Sequence, residues 1–511
     1  MRSRAAACIG MLVVLATAWV TAMQRSAIRP QLEAYVASHQ RAIVSELVNL
    51  LSIPNVGSDT DNIQRNAAQL RDLLRKRGLS TEILETDGNP LVWGELKVPG
   101  AKRTLLIWAH YDGAPVDLRG WKQASPFTPI LRSGRTEDGA KEMPGFKTLT
   151  KFEPDWRLYA RSAAHDKAPI VALLTALDAL KATGVSPTSN LRVVLDGEEE
   201  SGSPSLATAI PRHREKFAAD LMLVLDGPVH QSGRPTIAFG IRGVLAVELT
   251  VYGPKVGVPS GHYGNWVANP GIRLARLLAS MKDDEGRVLV KGFYDGIAPL
   301  GAAERAMLEA VPDDPAGLMK LFGVAAPERP DLTLQEALQL PSLNIRGLSS
   351  AFVGSEARAI IPDRAVATID IRLVTETPRR DMAEKIRAHI LAQGFHIVES
   401  EPDDQTRARY PRIVKLVLRG ASGNDAYRIS PLAPESTLVA EAVGAMLGER
   451  PVLIRTMGAS FPIVPFIQVM GFPAITLPTV NFDDNEHAEN ENLRLGHFFT
   501  GIVTIAAVLT M

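Results

Sequence analysis

Four short stretches bring histidine and carboxylate side chains to the ends of apolar runs. They are "WAHYDG" with His110 and Asp112, "LDGEEESGS" with Glu198, Glu199 and Glu200, "LVLDGP" with Asp226, and "DDNEHAENEN" with His487. A fifth, "RSAAHDKAP", sets His165 beside Asp166 between an apolar segment and a helix, as a metal-binding turn would. Each has an ordinary reading, since a strand-end aspartate often serves a turn and a glutamate run is often solvated surface. Their joint pattern points further. Mixed imidazole and carboxylate donors delivered to one sheet edge suit zinc or a similar divalent cation, and paired cations suit hydrolysis. The single cysteine, Cys8, lies in the N-terminal leader, so the ligands must be His, Asp and Glu. No Gly-x-Ser-x-Gly elbow is present, which disfavours a serine hydrolase.

The elements that must position these residues follow from periodicity. Apolar spacing predicts helices over 31–51 and 62–77, the second stopped by Gly78. The β-rich runs "STEILE", "PLVWGEL" and "TLLIWAHYD" come next, then a helix over 167–183, the strand "NLRVVLDGEEE", another helix and the strand "LMLVLDG". Strands alternating with helices predict an α/β sheet covered on both faces. From Arg242 the pattern changes to the alternating strands "VLAVELTVYG", "SLNIRGL" and "AVATIDIRLV". A helix follows, with Thr377 as N-cap, Pro378 in its first turn and Gly394 as stop, and then the strand "HIVES". This predicts a small α+β domain inserted into the first, with a helical addition over 302–340. The α/β pattern resumes near Asp425 and ends in the helix "LGHFFTGIVTIAAVL".

Composition bounds the rest. The 511 residues are 46% hydrophobic, enough for two folded domains. The 56 basic and 56 acidic residues cancel, and no basic run argues for nucleic acid. The first 23 residues pair two arginines with an apolar run and a small-residue site near Ala22, the pattern of a signal peptide. Export to a periplasm or the exterior is therefore expected, or a membrane anchor if the leader stays uncleaved.

The segments "HYDGAPVD", "GWKQASPFTPILRSG", "RLYARSAAHDKAPI", "DGEEESGS", "SGHYGNW", "IIPDRAVATIDIRLV" and "HAENENL" occur in the order in which one known family carries them. The chain resembles the co-catalytic zinc peptidases of the carnosinase, aminoacylase, carboxypeptidase G and succinyl-diaminopimelate desuccinylase family, with a pattern nearest the carnosinase-type dipeptidases. The resemblance implies an α/β catalytic domain with a mixed sheet flanked by helices (24–241 and 425–511), interrupted by an α+β lid (242–424) that often also makes a homodimer. It implies two zinc ions per chain, His110 and Asp226 holding one, Glu200 and His487 the other. Asp112 would orient His110, fixing its tautomer. Glu199 would be the general base that takes a proton from metal-activated water and passes it to the leaving amine. Glu198 is expected to be exposed. Arg372, with Gly458, Ser460 and His262, would bind the substrate, a dipeptide or N-acyl amino acid.

The chain departs from the family at four places. The bridging aspartate falls by register on His165, with Asp166 a bystander. The lid histidine that stabilises the oxyanion is Pro259, leaving His262 as a substitute; the Thr or Asn before "Ile-Ile-Pro" is Ala359; and a "Gly-Gly-Ser" reads Gly458-Ala459-Ser460. Losing one oxyanion donor costs about 100–1000-fold in turnover. The expected function is therefore an exported metal-dependent amide hydrolase. The competing expectations are an impaired relative acting as a binding protein and a one-zinc enzyme with altered chemistry.

Overall fold

The computed structural model describes residues 2–419 and 424–511, with side chains over 27–418 and 424–511. The leader expected over 1–23 lies outside the residues whose side chains are described. Among the described residues no helix is long and apolar enough to cross a membrane.

The larger sheet has eight strands, in the spatial order Ser80–Leu84, Leu91–Leu96, Asn190–Asp196, Thr104–His110, Leu221–Val224, Ala474–Thr476, Thr236–Ala238 and Val452–Ile454. Thr104–His110 runs parallel to both of its neighbours, so those three strands present their carboxyl ends at one edge. Antiparallel pairs on either side make the sheet mixed.

Both faces are covered, which is why these strands read as continuous apolar runs rather than alternating ones. In Thr104–His110, Leu105, Ile107 and Ala109 join the core under the helices Lys167–Ala182, Pro434–Leu447 and Leu495–Leu509. Leu106 and Trp108 face the other way, toward Leu206, Ile210, Phe217 and Phe466. Lys167–Ala182 is buried on nearly every side, as a predominantly apolar helix must be. It starts at the metal-turn candidate and places Pro169 in its first turn, where the missing N–H costs nothing.

A second sheet of five strands has the order Ser342–Ser350, Arg364–Leu373, Gly243–Tyr252, Ile413–Arg419 and His396–Val398. Its inward residues, among them Leu245, Val247, Leu249, Ile369 and Ile371, pack on Leu274, Leu278, Met382, Ile386 and Ile390 of two helices. The chain crosses between the sheets twice, and the crossings are paired: Tyr427 lies opposite Ile241, and Val244 N–H donates to the Asn424 carbonyl. The addition over 302–340 contains the helices Ala302–Glu309, Pro315–Phe322 and Leu334–Ala337.

Two expectations are corrected. Thr377 does not cap the helix Arg379–Ala392; Pro378 occupies the N-cap position, while the Thr377 hydroxyl closes a turn onto both backbone groups of Val374. Glu198 is half-buried rather than exposed, because its Oε2 accepts the Ser205 N–H at 3.3 Å.

Candidate metal centre

The parallel strands put three acidic or histidine positions at one edge. His110 ends its strand directly opposite Asp196, and Asp226 follows the end of the neighbouring strand by two residues. His110, Asp112, Asp196 and Asp226 are all buried there.

Around them two groups of potential ligands form: His110, His165 and Asp226, and His165, Glu200 and His487. His165 belongs to both. Its Nε2 lies 3.2 Å from Asp226 Oδ1 and 3.4 Å from His110 Nε2, while its Nδ1 lies 3.4 Å from Glu200 Oε1. The other Glu200 oxygen is 3.2 Å from His487 Nε2. Asp166 belongs to neither group; its Oδ2 lies 3.4 Å from the backbone N–H of His110.

Asp112 sits beneath the first group. Its Oδ1 lies 3.3 Å from His110 Nδ1 and accepts the Glu199 N–H at 3.0 Å, and its Oδ2 accepts the Glu200 N–H at 3.0 Å. The short 3-10 turn Glu199–Ser201 thus has its leading N–H groups satisfied by a carboxylate, the usual need of a helical start.

His487 reaches the site from a loop with an unusual backbone. Asn485, His487 and Asn490 take φ values of 59°, 60° and 61°. These residue types are enriched in that left-handed conformation. The loop also supplies Glu491, which the sequence reading passed over. Its Oε1 accepts the N–H groups of Ala164 and His165 at 3.0 Å, and its Oε2 accepts that of Ser162 at 2.9 Å. Arg161 Nη1 lies 2.9 Å from the same Oε2, and both side chains are buried. Lys167, also buried, donates to the carbonyls of Leu50 and Ile53, each at 2.9 Å. The turn that carries His165 is therefore held from both sides.

The electrostatics separate two neighbouring glutamates. Burial pushes the Glu199 carboxyl up to about 8, against the lowering influence of His110 and His165. Burial also raises Glu200, but the imidazoles of His165 and His487 close beside it outweigh that and hold the carboxyl well below the usual range. Asp226 behaves like Glu200: burial raises it, and His165 and His110 bring it below its ordinary value. Asp196, unassigned from sequence, is pushed by burial up to about 7 and ties the loop together through Ser203 Oγ and the Glu198 N–H.

The donor set fits a divalent cation. His165 Nδ1 and Asp226 Oδ2 are buried without a hydrogen-bond partner, leaving lone pairs that water does not reach. Imidazole and carboxylate donors in groups of three are the protein ligands of catalytic zinc sites, whose fourth position takes water or substrate.

Of the residues expected to bind substrate, Arg372 and Ser460 come together, with Nη1 2.9 Å from Oγ, although they belong to different sheets' surroundings. Arg372 Nε also donates to Asp370 at 3.0 Å. Ala459, between Gly458 and Ser460, accepts the backbone N–H of Arg242. That buried guanidinium, held at about 10 by burial and by Arg372, was also missed from sequence. His262 is not brought to the metal groups: it stands exposed on the short helix Ser260–Tyr263 with its ring against Tyr263.

Comparison with known proteins identifies the family. The profile of peptidase family M20/M25/M40 matches residues 106–511. A Cys-Gly metallodipeptidase of Schizosaccharomyces pombe is 26% identical over 479 residues, covering 90% of this chain and 93% of that one. The Beta-Ala-His dipeptidase of Mus musculus is 25% identical over 502 residues, covering 93% of each. Among solved structures, an M20 family metallo-carboxypeptidase from Sulfolobus solfataricus superposes with a TM-score of 0.75 at 27% identity, covering 91% of this chain and 98% of that one. The chain belongs to peptidase family M20/M25/M40.

Proposed function

We propose that the protein is a zinc-dependent dipeptidase in which Glu199 acts as general base. The observation that carries this reading is the meeting of two ligand groups on His165 at the sheet edge, with Glu199 beside them. His110, His165 and Asp226 would hold one ion, and His165, Glu200 and His487 the other. Bound zinc supplies Lewis acidity toward the scissile carbonyl and lowers the pKa of water.

The chain's own residues do the remainder. Burial raises the proton affinity of Glu199, so its ionised form would accept the proton of the attacking water and return it to the leaving amine. Asp112 keeps the Glu199 backbone in register with the His110 ring. Glu200 stays anionic and serves as ligand only. Arg372, supported by Ser460 and Asp370, offers a planar fork for the terminal carboxylate of a dipeptide. The names of the relatives, Cys-Gly and Beta-Ala-His dipeptidases, support a dipeptide as substrate. Family membership and the assembled donor set favour hydrolysis over the reading as an inactive binding protein.

Two further parts of the proposal rest on sequence and surface. The leader over 1–23 supports export. A homodimer through the second sheet is supported by its edge strand Ser342–Ser350, with Leu348, Val353 and Trp266 exposed nearby in sequence or on the same unit.

The decisive experiment assays zinc content and turnover on a panel of dipeptides and N-acyl amino acids, for wild type and Glu199→Gln. The expected result is unchanged zinc with turnover reduced about 100–10,000-fold in the variant. Full activity in Glu199→Gln removes the base assignment, and a wild type that takes up no zinc removes the reading.

A further inference from the structure

His165 replaces a carboxylate with a ring whose two nitrogens face two different ligand groups. Nε2 points to Asp226 and His110, at 3.2 and 3.4 Å, and Nδ1 to Glu200, at 3.4 Å. Nδ1 is buried with no hydrogen-bond partner. The ring is boxed in by two other imidazoles, His110 at 4.4 Å and an interplanar angle of 65°, and His487 at 4.9 Å and 89°. Its backbone cannot swing away, because Glu491 accepts the N–H groups of both His165 and Ala164.

Resting on the metallopeptidase reading above, we propose that His165 links the two metal ions as a bridging imidazolate, through Nε2 to the His110–Asp226 ion and through Nδ1 to the Glu200–His487 ion. The ring's remaining N–H proton passes to solvent as the second ion takes its place, so one nitrogen lone pair is offered to each metal.

The bridge has a geometric signature. A carboxylate can direct both oxygens inward and hold two cations about 3.5–4 Å apart. The two lone pairs of an imidazole ring diverge, and with metal–nitrogen bonds of about 2.0–2.1 Å they place the ions roughly 6 Å apart. At that spacing the ions cannot share one oxygen ligand. The proposal therefore predicts a metal pair of different geometry from one joined by a carboxylate. The competing arrangement is a single ion on Nε2, with Nδ1–H donating to Glu200 as metal-bound histidines commonly do.

Zinc stoichiometry by mass spectrometry, with zinc absorption-edge scattering or anomalous diffraction on the purified full chain, separates the arrangements. The expected result is two ions roughly 6 Å apart, each with a nitrogen of His165 as ligand. In His165→Asp the separation is expected to shorten to about 3.5–4 Å. A wild-type pair already at that shorter spacing overturns the bridge, and so does one zinc per chain with a peptidase that is otherwise active. Those two results leave the metallopeptidase reading standing, whereas no bound zinc and no hydrolysis defeat both. The wild-type separation decides the matter even if His165→Asp fails to fold.

Discussion

The Asp112 oxygen that faces the His110 ring also accepts the backbone N–H of Glu199. One side chain therefore fixes the orientation of a ligand and the position of the proposed base. Because the two functions share an atom, substitution should damage both. In Asp112→Ala we expect zinc affinity to fall about 10–100-fold, and turnover to remain depressed when zinc is supplied in excess. Restoration of full turnover by zinc alone would confine Asp112 to its work on His110.

Glu491 and Arg161 form a buried ion pair whose carboxylate also accepts three backbone N–H groups of the His165 turn. Removing one partner strands the other charge, at a cost of about 3–5 kcal/mol. Glu491→Gln should lower the denaturation midpoint and weaken zinc retention together. Stability unchanged from wild type would show that the pair is not needed to hold the turn.

Arg372 is positioned by Ser460 and Asp370 and, among the described residues, touches none of the metal-group residues by hydrogen bond. Arg372→Ala should leave zinc content intact and raise KM for dipeptides while kcat falls less. The loss should be smaller for substrates amidated at the C-terminus, which lack the carboxylate. An equal loss on both substrate types would reject the clamp.

Asp196 gives a pH test on stability. Burial raises its carboxyl from 3.8 to about 7 in the folded state. Between those values the folded chain keeps a proton that the unfolded chain has released, so this group's contribution is present below the lower value and lost as pH rises toward the upper one. Asp196→Asn should therefore flatten the fall in stability between about pH 4 and 7, as followed by chemical denaturation at several pH values. An unchanged slope would mean that Asp196 ionises normally.

Much of the fold was legible because burial on both faces leaves its mark on composition. "TLLIWAH" and "LMLVLDG" read as strands from their apolar content alone, and their parallel pairing turned two strand-end acids or imidazoles into neighbours. The strand Ile413–Arg419, IVKLVLR, was passed over: its apolar residues are adjacent rather than alternating. Register with the family placed His165 at the bridge position, and it does lie between the two ligand groups. Which nitrogen faces which group depends on ring orientation, which no spacing encodes. Glu491 looked like one more acid in a solvated loop, because its burial arises only when the loop folds over the His165 turn. His262, near the missing lid histidine in sequence, stands exposed and belongs to neither ligand group of the described residues.

The Glu491 clasp also orders events in time. The second ligand group takes His487, and the turn that carries His165 into both groups is held by Glu491, so that group and the clasp wait for a segment made long after His110 and Asp226. A nascent chain carries Asp112, Glu199, Glu200 and Asp226 as a crowd of carboxylates whose last imidazole and whose clamp have yet to be synthesised. On the proposed assignment, the Glu200–His487 ion would be held only once the C-terminal segment has docked.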